Sequence, residues 1–208
     1  LKKKNNAHRQ NWNVPSTPSE TTGRIKKGLM GLETTLAGAY PKISDTTEEQ
    51  KLRRALHQFD KGELSEEDLE QVKNGVTEEA IREQIEACLD IVTDGLIRWD
   101  DPLTYLVRKM SGFDLSGLIR YFDTNTFYRQ PIAETRIEFL KPMLVSDFQF
   151  AQERSAKPVK AVLTGPYTIA KLCRNRFYRE FRQLAFDLAH IFHRELSALE
   201  EAGVRYIQ

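Results

Sequence analysis

Cysteine is scarce in this chain: Cys88 and Cys173 are the only two among 208 residues. Their number excludes a disulfide scaffold, a CxxC redox pair and a four-cysteine zinc cage, and the usual habit of free cysteine makes both buried small hydrophobes. Long apolar runs are missing as well. No stretch reaches the ~18 to 20 uncharged apolar residues that cross a bilayer. The opening Leu1-Lys2-Lys3-Lys4-Asn5-Asn6 has no apolar core behind its charges, so no secretory signal is read and the expected location is cytoplasmic. Net charge is nearly absent too, with 31 basic against 30 acidic side chains. What is present, 40% hydrophobic residues, is enough for a globular core and excludes disorder throughout or a collagen-like chain.

The neutral total conceals an asymmetry. Residues 1–29 carry seven Lys or Arg against Glu20 alone, while the remainder is acidic. This first segment holds Pro15 and Pro18 in a Ser/Thr run and has no apolar period, so residues 1–31 are expected to be a disordered basic tail. Lys2–Lys4, Arg9 and Trp12 are the residues a nucleic-acid arm would use. A solvated tail is the plainer reading, and no nucleic-acid partner is expected. Met30, just before the first regular segment, is a candidate natural start, with residues 1–29 an upstream extension.

From residue 32 to 208, short β-rich runs alternate with helical patterns, the signature of a parallel sheet with crossover helices. Five strands are predicted: Thr34–Gly38, Leu89–Thr93, Thr126–Arg129, Val159–Leu163 and Val204–Gln208. Thr46-Thr47-Glu48-Glu49 opens a helix with Leu52, Leu56 and Phe59 on one stripe, and Gly62 marks its end. Ser65-Glu66-Glu67-Asp68 caps a second helix, which runs through Ile81, Ile85 and Cys88. Phe181, Leu184, Leu188, Ile191, Phe192 and Leu199 form the apolar stripe of a long helix ending near Gly203. Gly38-Ala39-Tyr40-Pro41-Lys42 is not the GxGxxG turn of a dinucleotide fold, which favours the other single-handed α/β architecture, the (β/α)8 barrel. Such a barrel needs about 250 residues. The expectation is therefore α/β, a partial (β/α)8 barrel of about five strands whose exposed edges are covered by the remaining half or by self-association.

In a parallel barrel the reacting groups stand past the carboxyl ends of the strands. Those positions read Gly38-Ala39-Tyr40-Pro41, then Asp94 to Asp101, then Arg129-Gln130-Pro131, then Thr164-Gly165-Pro166-Tyr167-Thr168. Glycine lets a ligand approach backbone amides, and Arg129 offers a planar donor fork, although Gly and Pro also simply make turns. Asp94 is the functional carboxylate candidate, whereas Asp100 or Asp101, before Pro102, reads as a helix cap. His190 and His193 stand three apart on the long helix without a third donor nearby, and His57 reads as a helix-surface residue, so no metal ligand is assigned within the chain.

These motifs carry a resemblance. The blocks Glu33-Thr34-Thr35-Leu36-Ala37-Gly38-Ala39-Tyr40-Pro41, Leu89-Asp90-Ile91-Val92-Thr93-Asp94-Gly95, Phe127-Tyr128-Arg129-Gln130-Pro131, Leu163-Thr164-Gly165-Pro166 and Ala202-Gly203-Val204-Arg205-Tyr206-Ile207-Gln208 resemble, in order, the catalytic barrel of the cobalamin-independent methionine synthase family in its shorter form. The resemblance implies transfer of a methyl group to the zinc-activated thiol of homocysteine, with methyl-tetrahydrofolate or a methyl-corrinoid as donor. It also implies that Ala37, Gly38, Ala39, Asp94 and the Leu96 position face homocysteine, and that Arg129, Gln130, Gly165 and the Leu172 position face the methyl donor. The zinc ligands are expected beyond Gln208.

Three departures accompany the match. Ala39 stands where the family usually has Ser. Leu96 stands where it has a Glu for the substrate's amino group, removing a charge-assisted bond worth about 1.5–3 kcal/mol. Leu172 stands near the place of an aromatic residue that packs on the folate. Leu96 leaves open an alkyl or methyl transferase acting on a thiol without an amino group, and the ligands outside the chain leave open a non-catalytic half-barrel.

Overall fold

The computed structural model describes residues 32–41, 50–121, 123–124 and 126–208, and Thr34–Gln208 form one compact unit. The predicted tail of residues 1–31 and the helix start at residues 46–49 lie outside the described residues. Helices α1 (Lys51–Asp60) and α2 (Glu66–Glu86) pack together, and a short α3 (Thr104–Val107) follows. Next come β1 (Met110–Arg120), β2 (Phe127–Phe139), α4 (Val145–Glu153) and β3 (Lys160–Ala161). The chain continues through α5 (Pro166–Leu172), β4 (Arg174–Asn175), α6 (Phe181–Glu201) and β5 (Tyr206–Ile207). The result is a mixed α/β fold.

Four of the five predicted strands pair in parallel and in sequence order. Thr35 bridges Ile91, Val92 bridges Val159, and β3 pairs with β5 through Lys160–Tyr206 and Ala161–Ile207. The regular ladders are short. The backbone bonds include Ile91 N–H to Thr34 O at 3.0 Å, Lys160 N–H to Val92 O at 2.8 Å and Gln208 N–H to Ala161 O at 2.9 Å. Parallel neighbours need long crossovers, and α1 with α2, α4 and α6 lie in the three connections.

The remaining predicted strand is corrected. Thr126–Arg129 is not a member of the parallel layer; it falls at the start of β2, which pairs antiparallel with β1 from Met110–Phe139 to Arg120–Phe127. Arg129, expected at the strand's carboxyl end, and Gln130, expected in the turn past it, therefore both sit well inside a strand. Pro131 makes the run look finished, because proline ordinarily breaks a ladder. Here it lies opposite Leu115, where the register shifts before Leu118, and a bulge tolerates the missing N–H. β4 joins the same sheet by pairing in parallel with Ile132 and Ala133.

Local chemistry accounts for the helix ends. Ser65 Oγ accepts from Asp68 N–H at 3.1 Å with three acidic residues in the first turn of α2, the arrangement expected from sequence. Of the α1 stripe only Leu52 is buried; Leu56 and Phe59 are exposed, and Ala55 takes the inward place. On α6, Leu184, Leu188, Ile191, Phe192 and Leu199 are buried as predicted, while Phe181 is exposed against Tyr167. Glu195 lies on that same apolar face with no exposed surface. Its carboxylate accepts from Met143 N–H at 2.7 Å and Leu144 N–H at 2.8 Å, the unpaired donors at the start of α4. Cys88 corrects a second expectation: it is exposed, with φ 62°, at the turn after α2. Cys173 is partly buried, and burial pushes its thiol up to about 11.

Candidate substrate site

The carboxyl ends of the first two parallel segments meet at one place. Thr93, fully buried, follows Val92 and donates its hydroxyl to Gly38 O at 3.0 Å while accepting from Gly95 N–H at 3.1 Å. Tyr40 N–H donates to Gly95 O at 2.9 Å. The turn after the first segment and the turn after the second are thus stitched face to face. Gly95 is required there: its φ is 71°, and a Cβ would come within 2.8 Å of the Tyr40 side chain.

Thr93 is held from behind by a residue that sequence reading passed over. Gln84 of α2 is 2% exposed; its Nε2 donates to Thr93 O at 2.9 Å and its Oε1 accepts from Thr93 N–H at 2.8 Å. The amide side chain takes the place of a neighbouring strand and satisfies both backbone groups. Its signal was a polar residue on the inward face of α2, three positions from buried Ile81.

The five residues expected to face homocysteine are gathered here. Ala37 and Ala39 are exposed, Gly38 is buried between them, and Asp94 is 9% exposed. Asp94 Oδ1 accepts from Leu96 N–H at 3.1 Å, closing a tight turn in which Gly95 and Leu96 both have positive φ. Leu96 at φ 53° is strained, as a side chain in this region costs about 1–2 kcal/mol. A small cavity of about 20 Å³ lies below, lined by Asp94, Leu96, Trp99, Lys160 and Val162, with room for roughly one water. Tyr40 closes the edge by donating to Glu83, a bond that raises its hydroxyl to about 12.

The four residues expected to face a methyl donor form a second group. Gln130 Nε2 reaches Leu172 O at 3.5 Å, the outer limit of hydrogen bonding, and Tyr128 OH reaches the same carbonyl at 3.4 Å. Gly165 and Leu172 are the two ends of α5. Arg129 is exposed and its N–H points to Asp101 Oδ2 at 3.3 Å. Asp101 proves to be the cap anticipated for one of two aspartates: Oδ1 accepts from Leu103 and Thr104 N–H at 2.8 and 2.7 Å, whereas Asp100 pairs with Arg108. Thr164 Oγ1 donates to Pro102 O at 2.7 Å and ties the α5 loop to this group.

Behind the site lies a charged layer that periodicity did not reveal. Asp147 of α4, 7% exposed, accepts from Tyr105 OH at 2.5 Å and stands 3.7 Å from Lys109 and 3.8 Å from Arg98. Burial and the Asp147 charge raise the Tyr105 hydroxyl, and burial lowers the Lys109 ammonium. Tyr105 is held as a neutral donor.

Residues 32–208 match the family model described as the catalytic domain of cobalamin-independent synthase. The chain belongs to the cobalamin-independent methionine synthase family. Among its curated relatives it is 35% identical over 178 residues to the methionine synthases of Sulfurisphaera tokodaii and Saccharolobus solfataricus. Each alignment covers 85% of this chain, and 51% and 52% of those proteins respectively, so the chain spans about half their length. It superimposes with a TM-score of 0.63 and 26% identity on a B12-independent methionine synthase from Shewanella sp. W3-18-1 solved in complex with selenomethionine. That match covers 70% of this chain and 43% of the other.

The residues described do not fit the zinc that the family resemblance implies. Among them no three His, Cys, Asp or Glu side chains gather at one point, and His190 and His193 lie on the exposed side of α6. Nor, among the described residues, is any helix long and apolar enough to cross a membrane.

Proposed function

We propose that these residues are the part of a methionine-synthase-type (β/α)8 barrel that binds the amino-acid portion of a thiol substrate, homocysteine, for methyl transfer to its sulfur. The observation that carries this reading is the double stitch between the two turns, Thr93 Oγ1 to Gly38 O and Tyr40 N–H to Gly95 O. These bonds join the Ala37–Ala39 turn to the Asp94-Gly95 turn. Preformed geometry of this kind lowers the ordering needed on binding. Asp94 supplies negative charge to the substrate's ammonium group, and Ala37–Ala39 supply backbone polar groups. The selenomethionine in the Shewanella relative is of the same amino-acid class as the product. On this reading Arg129, Gln130 and the Pro166–Leu172 helix with its cap Gly165 form the side on which methyl-tetrahydrofolate or a methyl-corrinoid would lie.

Titration calorimetry with homocysteine and with selenomethionine tests the reading. Binding is expected for the wild type, and Asp94→Asn is expected to weaken it about tenfold by removing a charge-assisted contact. Equal affinity in wild type and variant would sink the assignment of Asp94. Leu96 favours a second reading, since an apolar side chain occupies the position beside Asp94. In that case the acceptor is a thiol without an amino group. Competition between homocysteine and a simple alkyl thiol separates the two, and Leu96→Glu is expected to shift preference toward homocysteine.

A further inference from the structure

The turn that would receive the substrate has three consecutive carbonyl groups, and each is held by a side chain from a different segment. Gly38 O accepts from the Thr93 hydroxyl. Leu36 O accepts from Lys160 Nζ at 2.6 Å, and Ala37 O accepts from Gln208 Nε2 at 2.6 Å. Lys160 Nζ also donates to Gln208 Oε1 at 2.7 Å, joining the two holders. These bonds cross the layer: Lys160 belongs to β3 and Gln208 follows β5, whereas Leu36 and Ala37 belong to the first segment, whose backbone partner is Ile91.

Lys160 is 7% exposed, and both of its acceptors are neutral. Desolvating an ammonium opposes folding, and an apolar residue of similar size in such a place is often neutral or stabilising. A buried cation directed at a backbone carbonyl therefore calls for a role other than stability. What it provides is a strong, charge-assisted bond, and Gln208 is oriented by giving Lys160 its oxygen and so turning its NH2 to Ala37.

We infer that Lys160 and Gln208 are positioning residues that clamp the Leu36 and Ala37 carbonyls and so set the backbone of the Ala37–Ala39 turn for the substrate. This rests on the homocysteine reading of the site. It adds two residues that touch no substrate atom and act through the turn.

The test uses Lys160→Met and Gln208→Glu in the whole protein. Gln208→Glu gives Lys160 a counter-charge but sets a carboxylate oxygen against Ala37 O, so stability to urea should hold or rise while the clamp is lost. Three quantities are read: the urea midpoint, the homocysteine Kd by calorimetry, and amide hydrogen exchange over residues 36–40. The expected result is Kd raised about tenfold in both variants, the scale of one lost hydrogen bond, with faster exchange at 37–40 and no fall in midpoint for Gln208→Glu. Wild-type affinity with unchanged exchange in both would overturn the proposal. So would weakened binding with unchanged exchange, because the loss would then be electrostatic and not positional. If the wild type binds no homocysteine yet exchange at 37–40 quickens in both variants, the clamp stands and the homocysteine reading fails. Should Lys160→Met not fold, Gln208→Glu decides alone.

Discussion

The parallel layer and the β1–β2 hairpin are held in place by different means. The hairpin has a backbone ladder from Met110–Phe139 to Arg120–Phe127, and its far end exposes Leu118, Ile119 and Phe127. The parallel layer has two single bridges and one two-residue ladder, yet its turns are tied by buried Gln84, Thr93, Lys160 and by Gln208. A local ladder fixes a strand's register but leaves its free end to solvent. Side chains reaching across three segments fix the position of a turn, at the expense of burying polar atoms that must all be paired. The difference bears on the proposed substrate turn: a turn whose backbone must be placed from several directions cannot rely on a local ladder, and the short ladders of the parallel layer leave that task to side chains.

The comparison can be broken most strongly at Gln84. Gln84→Leu leaves Thr93 N–H and C=O buried without partners, at a penalty of about 1–3 kcal/mol for each group. Urea denaturation should show a loss of about 2–4 kcal/mol together with weaker homocysteine binding. A loss below about 0.5 kcal/mol, the ordinary scale of a surface change, would mean that Thr93 finds other partners. In the hairpin the counterpart is Gly112, at φ 86°, where a Cβ would meet Arg136 O at 2.4 Å. Gly112→Ala is expected to cost about 2–3 kcal/mol, as strain of that kind does, but to leave homocysteine affinity as in the wild type. A parallel fall in affinity would show that the two regions are one cooperative unit.

Smaller changes sharpen the contrast. Thr93→Val keeps the shape but removes the hydroxyl shared by Gly38 and Gly95; a loss of about 1–2 kcal/mol is expected, with homocysteine Kd increased. Unchanged binding would detach the stitch from the site. At the exposed hairpin end, Phe127→Ser should change the unfolding free energy in urea by less than about 0.5 kcal/mol and leave binding unaltered. A large loss there would reveal packing that its exposure does not show.

Four parallel segments were legible because each is a short β-rich run bounded by Gly, Pro or Asp, and because helical stripes separate them. The α2 cap was legible for the same local reason, since Ser65 and Asp68 lie within one turn. Met110–Arg120 is hard to read as a strand: its two glycines and its polar residues leave no clean alternation, and its outer half is exposed. For Arg129 and Gln130 the reading as the carboxyl end of a parallel strand gives the wrong element, because Pro131 looks like a terminator until its bulge is seen. Residue type alone puts Cys88 in the interior, and the turn at φ 62° puts it outside.

By itself the amino-acid sequence determined the alternation of strand and helix, the turns at Gly38 and Asp94-Gly95, the capped start of α2 and the family to which residues 32–208 belong, since all of these are carried by neighbours in the chain. Only the tertiary structure decided that the third predicted strand belongs to an antiparallel hairpin. It alone showed that Glu195 caps a helix 51 residues away, and that Lys160, Gln208 and Thr93 each hold one carbonyl of a single turn. Those bonds join residues 51 to 171 positions apart. Their existence depends on how the layers pack, which local propensity and periodicity do not encode.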